Sequence, residues 1–230
     1  MGDRFLWALF GPSGSGKTYL WRQHLQHMTS PRIVLDRMEH LTDLGVEVES
    51  VEHFRKTYIR IAEGELPQAK NNCFVVSWAT KSNGTALFDL ARSAGLAATY
   101  VADEVYKWYP QRGSRDENLE ELLMEGRKQS QSLVCTARKP QKVGKDILDE
   151  CVLTAFRMQG KHSAERVADY FPQSRIDKNV IRNLGEHEFI STGRVEMLPW
   201  ASRWPWADGD NVAIMRWSDE ESAVQRVSVL

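Results

Sequence analysis

Residues 4–25 read RFLWALFGPSGSGKTYLWRQHL: an apolar run, a glycine-rich segment, and a stretch with helical spacing. The middle segment, Gly11-Pro12-Ser13-Gly14-Ser15-Gly16-Lys17-Thr18, decides how the rest is read. Its glycines let consecutive backbone N–H groups converge on one point. A helix opening directly behind them adds the positive end of its dipole. A lysine and a threonine at the end of such a loop supply a cation for the β and γ phosphates and a hydroxyl for magnesium. The spacing therefore predicts strand, phosphate loop and helix, with ATP and Mg2+ held by residues Gly11 through Thr18 and the following Tyr19.

The chain of 230 residues is long enough to bury a sizeable core in one α/β domain. Lys and Arg number 30 against 31 Asp and Glu, so a polyanion would be met by a local patch and not by the overall field. That excludes a wholly basic coat protein. Cys73, Cys135 and Cys151 stand in apolar surroundings without CxxC spacing, which predicts buried free thiols in a reducing compartment. No run of about 18 apolar residues is present, and no signal-peptide pattern precedes the first strand. The expectation is a soluble intracellular protein whose fold begins near residue 4.

Outward from the loop, short apolar runs alternate with helical patterns. The runs are 4–10, 32–36, 73–78, 98–103, 132–137 and 151–156; the helical stretches are 18–28, 51–62, 86–94, 118–127 and 161–171. This alternation predicts a mostly parallel sheet between helices. The rhythm then changes, and HEFIS and RVEML around Thr192-Gly193 predict a β-hairpin near 186–198. A motor domain is thus expected over 1–198. Residues 199–230, with Trp200, Trp204, Trp206 and Trp217, are expected as an arm packed over it or a docking surface.

A second acidic site belongs at the end of another strand, and ATYVADE supplies it. Asp103 is expected to hold the magnesium shell, and Glu104 to polarise a water for attack on the γ phosphate. Just beyond, VYKWYPQRGSRDE interleaves aromatic and basic residues. Lys107, Arg112 and Arg115, with Lys139 and Lys142 further on, are candidates for contacting a nucleic-acid backbone. The alternative is a surface loop over a packed aromatic cluster.

The stretch 125–140, EGRKQSQSLVCTARKP, places an arginine on either side of a strand. If that strand lies beside the Asp103 strand, Arg138 emerges at the carboxyl edge shared with Lys17 and Asp103. Arg127 lies before the strand and is expected on the opposite side, where a neighbouring copy in a ring could receive it. Pairing of Arg127 with Glu120, Glu121 or Glu125 is the plainer alternative.

These motifs, in this order over residues 5–140, resemble those of the FtsK/HerA superfamily of DNA-pumping ATPases, and the short length resembles the genome-packaging ATPases of tailless icosahedral viruses with an internal membrane. The resemblance rests on the phosphate loop, Asp103-Glu104, Gly126-Arg127 before a strand, Ala137-Arg138-Lys139-Pro140 after it, and Phe156-Arg157 closing the next. It implies a P-loop NTPase of the RecA/ASCE type. It also implies Lys17, Thr18, Asp103 and Glu104 in the roles above, and Arg127 as a finger acting in trans. One position departs: Arg138 stands where the family has its sensor glutamine. The function expected is ATP-driven translocation of double-stranded DNA into a capsid by a homo-oligomeric ring, in the host cytoplasm or at the packaging vertex of the virion, with capsid vertex proteins as partners. The alternatives are an assembly switch without translocation and a P-loop nucleotide kinase.

Overall fold

The computed structural model describes residues 4–25, 31–35, 41–62, 73–76, 98–113, 115, 117–125, 131–171, 176–192, 213–218 and 223–229. Among the described residues ten strands form one sheet: β1 (Leu6–Phe10), β2 (Arg32–Leu35), β3 (Val46–Glu47), β4 (Cys73–Val76), β5 (Thr99–Ala102), β6 (Ser132–Ala137), β7 (Val152–Phe156), β8 (Phe189–Ser191), β9 (Ala213–Ser218) and β10 (Ala223–Val229). Their order is β10-β9-β8-β7-β1-β6-β5-β2-β4-β3. From β7 to β3 all pairings are parallel, and from β7 to β10 all are antiparallel. The described helices are α1 (Lys17–Leu25), α2 (Val51–Ala62), α3 (Glu117–Glu125), α4 (Lys145–Glu150), α5 (Lys161–Ala168) and α6 (Lys178–Asn183).

The continuous apolar runs become strands because a central parallel strand is buried on both faces. In β1 every residue is buried. Leu6, Ala8 and Phe10 join the core with α3, α4 and α5, while Trp7 and Leu9 pack with Leu20, Trp21 and Leu25 of α1 on the opposite face. Arg4 anchors the entry to β1, donating to the carbonyls of Leu122 and Leu123 at 2.7 and 2.6 Å, where α3 ends on its negative pole. Asp177 caps α6 by accepting from the amides of Asn179 and Val180 at 2.7 and 3.0 Å.

All six expected strands form, with ends within one or two residues. The expected helix over 86–94 lies outside the described residues. So do the hairpin strand at 194–198 and Trp200, Trp204 and Trp206. The other hairpin strand appears as β8, paired with β7 and β9. Described parts of the Trp-containing tail form β9 and β10, an antiparallel pair that continues the sheet, which local sequence pattern did not indicate. All three cysteines are buried free thiols, and burial pushes the Cys73 thiol up to about 11. No described helix is long and apolar enough to cross a membrane.

Candidate nucleotide site

Strand β1 ends at Phe10 between Ala137 of β6 and Ala155 of β7, and the glycine-rich loop begins there. Gly11 donates its N–H to the Ala137 carbonyl at 3.3 Å. A Cβ on Gly11 would stand 2.7 Å from Ser15 Oγ and 2.8 Å from Phe156 Cβ, so only glycine fits this close approach. Gly14 and Gly16 have φ of 75° and 99°, which a side chain would strain. Helix α1 starts at Lys17, directing its first amides back toward the loop. The buried Ser15 hydroxyl finds no partner among the described residues, as a group left for a phosphate oxygen would.

The Lys17 ammonium is folded into this loop, donating to the carbonyls of Gly11 and Pro12, each at 2.7 Å. Burial lowers its pKa from 10.5 to about 8, partly opposed by the carboxylates of Glu104 and Asp103. A phosphate chain in the loop would restore the missing charge partner.

Strands β6 and β5 bring the acidic pair to the same edge. Ala102 lies opposite Cys135, so the next residues, Asp103 and Thr136, also meet. Thr136 Oγ1 donates to Asp103 Oδ1 at 2.5 Å and accepts from the Glu104 amide at 3.2 Å. Glu104 takes a left-handed backbone, φ 53° and ψ 57°, at a cost on the order of 1 kcal/mol for a residue with a side chain. That turn aims a buried carboxylate, 3% exposed, at the Arg138 guanidinium, which ion-pairs with it. The Arg138 amide also faces Glu104 Oε2 at 3.3 Å. The pair holds the Arg138 pKa above its ordinary value.

Lys17, Thr18, Asp103, Glu104 and Arg138 all line one cavity of about 590 Å³, together with Ser13 to Gly16, Tyr19, Leu20, Phe156, His187, Phe189 and Arg216. The volume suits a nucleotide. The donor set fits Mg2+: the Thr18 hydroxyl and the Asp103 carboxylate are the oxygen groups on this wall that would hold it. Gly11 and Pro12 shape the loop behind this wall through the carbonyls that hold Lys17.

Arg127 lies outside the described residues. The other basic candidates share two loops at the carboxyl edge of β5 and β6. An antiparallel bridge between Pro110 and Val143 joins these loops, with the Gln111 amide donating to Lys142 O at 2.8 Å and Gly144 to Tyr109 O at 3.0 Å. Arg112, Lys139 and Lys142 are exposed there, and Lys107 is half-buried. Lys142 Nζ sits 5.5 Å from the Tyr106 ring centroid. Arg115 is turned inward, ion-paired to Asp146 at 2.6 Å and resting 4.9 Å over the Tyr109 ring. Trp108 and Tyr109 are fully buried, so the aromatics of this stretch form the packed cluster beneath the loop. Burial and the Asp146 carboxylate push the Tyr109 hydroxyl up to about 12.

Thr136, His187, Phe189 and Arg216 escaped the sequence reading. A hydroxyl in the apolar run SLVCTA was the one available signal for Thr136. His187 and Arg216 reach the cavity only through the antiparallel pairing of β7, β8 and β9, which no local pattern announces.

No protein-family model and no curated protein matches the chain by sequence. Its structure is similar to the genome packaging NTPase B204 from Sulfolobus turreted icosahedral virus 2. Against the complex with ATP-gammaS the TM-score is 0.66 at 12% identity, covering 98% of each chain. Against the sulfate complex it is 0.65 at 15%, covering 83% of this chain and 92% of that one. VirB4 of Thermoanaerobacter pseudethanolicus gives 0.54 at 12% identity, covering 81% and 86%. The chain thus has the α/β fold of a P-loop NTPase and is similar in structure to a viral genome-packaging NTPase.

Proposed function

We propose that this chain hydrolyses ATP to move double-stranded DNA, as a packaging motor working in a homomeric ring. The observation that carries the reading is the convergence of Lys17, Asp103, Glu104 and Arg138 on one cavity behind the glycine-rich loop. Backbone N–H groups of Ser13 to Thr18 and the Lys17 ammonium take the phosphates, and Thr18 and Asp103 take the metal. Mg2+ held by Thr18 and Asp103 would supply neutralisation of the charge on the phosphate oxygens. Glu104 accepts a proton from water as the water oxygen bonds to the γ phosphorus and the bond to the β-γ bridging oxygen breaks.

Arg138, which ion-pairs with Glu104 at the cavity wall, has two acceptors to choose between once a γ phosphate arrives. A guanidinium transferred to that phosphate would free the carboxylate to act as base, so Arg138 would serve as the sensor. Arg127 is proposed as the finger reaching a neighbour's nucleotide. Lys107, Arg112, Lys139 and Lys142, carried on the two bridged loops, are proposed to meet the DNA backbone; Arg115 would do so only by leaving Asp146. The likeness in fold to the packaging NTPase supports a place at a capsid vertex or in the host cytoplasm.

Hydrolysis measured with and without duplex DNA tests the reading. DNA is expected to raise the rate, with a stimulation that fades steeply as salt increases, because phosphate contacts release counterions. Hydrolysis indifferent to DNA at all salt concentrations would contradict translocation and favour an assembly switch. Phosphoryl transfer to a nucleoside monophosphate would point to a kinase.

A further inference from the structure

The cavity reaches both flanks of β1, and the acid pair occupies only one. Asp103, Glu104 and Arg138 stand at the ends of β5 and β6. Phe156 ends β7 on the opposite flank, and beside it come His187 from the approach to β8, Phe189 from β8 itself and Arg216 from β9. A nucleoside triphosphate is a linear molecule. With its γ end at the acid pair and its phosphates in the loop, its nucleoside points toward β7, β8 and β9.

That flank is built to receive one. Phe156 and Phe189, both buried, lie with ring centroids 5.3 Å apart and give it an apolar floor. His187 has a left-handed backbone, φ 59°, and its Nδ1 stands 3.4 Å from where a Cβ on Gly16 would be. The ring is thus set against the loop itself, though its side chain is 55% exposed. Arg216 donates to Glu188 Oε1 at 2.9 Å, while Glu188 Oε2 accepts from the Gly185 amide at 2.6 Å. This chain of contacts tethers a half-exposed planar guanidinium at the cavity wall, and such a plane stacks on aromatic rings in a way an ammonium does not. We propose that His187 and Arg216 form the nucleoside-recognition end of the site, holding base and ribose against the Phe156 and Phe189 floor. The proposal rests on the nucleotide-site reading and adds the residues that distinguish a nucleotide from bare polyphosphate.

The test is calorimetric titration of Mg·ATP and Mg·tripolyphosphate into wild type, His187→Asn, Arg216→Lys and the double variant. Asparagine tolerates the left-handed backbone, and lysine keeps the charge without the plane, so both variants are expected to fold. The double variant should lose about tenfold in ATP affinity, two cation–π or stacking contacts of a few-fold each, while tripolyphosphate binding stays within about twofold. Unchanged ATP affinity, or equal losses for both ligands, overturns the proposal. Wild type binding tripolyphosphate and ATP equally tightly overturns it as well. Wild type binding neither ligand would instead remove the nucleotide-site reading, and this proposal with it.

Discussion

Strands β6 and β7 flank β1 on either side, and each buries a threonine opposite Leu9. On β6, Thr136 donates to Asp103 and accepts from the Glu104 amide, so its hydroxyl holds two residues of the cavity wall from behind. On β7, Thr154 accepts from the Trp7 indole at 2.8 Å and shares a hydrogen bond with the Ser191 hydroxyl, tying β1, β7 and β8 inside the core. The chemistry of the two side chains is the same. What differs is the neighbour strand: β5 is parallel and delivers two carboxylates to the shared edge, whereas β8 is antiparallel and delivers a serine. Position in the sheet, and not residue type, decides which threonine serves the site.

Substitutions on the two flanks should separate accordingly. Among these comparisons between flanks, the largest effect is expected from Arg138→Ala on the β6 side. If its guanidinium moves from Glu104 to the γ phosphate, turnover should fall about a hundredfold with nucleotide binding nearly kept. An increase in turnover would show that Arg138 only restrains Glu104. Thr136→Val should come next. It keeps the shape but leaves the Glu104 amide and an Asp103 oxygen unpaired, costing about 1–3 kcal/mol of stability by chemical denaturation and lowering turnover per folded molecule.

Thr154→Val is the mirror experiment. It removes the Thr154 acceptor of the buried Trp7 indole N–H and the Thr154 partner of the Ser191 hydroxyl, at a similar cost of about 1–3 kcal/mol, yet turnover per folded molecule should hold. A loss of turnover comparable to that of Thr136→Val would erase the contrast between the flanks. The smallest effect is expected at Asp177, which caps α6 on the way into β8. Hydrogen bonds from the Val180 and Asn179 amides depress its carboxyl pKa. A depressed carboxyl stabilises the fold above its unfolded pKa and loses that contribution as pH falls through the folded one. Asp177→Ala should therefore lower Tm slightly at pH 7, by less at pH 3, and leave turnover unchanged.

The parallel half of the molecule was legible in the sequence because its strands are buried on both faces and read as unbroken apolar runs. RFLWALF, SLVCTA and ATYVAD became three neighbouring parallel strands, and that placed Asp103 and Arg138 at one edge beside the phosphate loop. The antiparallel half was not. AIMRWS and AVQRVSV are partly polar strands whose pairing depends on β7 and β8, far away in the chain, and an edge strand need not bury both faces. The left-handed turn of Glu104 was likewise hidden, since a glutamate adopts it only when surrounding contacts impose it. VYKWYPQRGSRDE left two readings open because aromatic and basic residues side by side fit a nucleic-acid surface and a buried cluster roofed by Arg115 equally well; Asp146, a partner distant in sequence, settles the geometry of that cluster.

The central claim is that Glu104 activates water at a phosphate site built around Lys17. Steady-state ATP hydrolysis and Mg·ATP binding, measured together for wild type, Glu104→Gln and Lys17→Ala, test it most directly. Wild type should hydrolyse ATP, Glu104→Gln should bind ATP as tightly but turn over at least about a hundredfold more slowly, and Lys17→Ala should lose most of its binding. Turnover by Glu104→Gln at the wild-type rate would contradict the account.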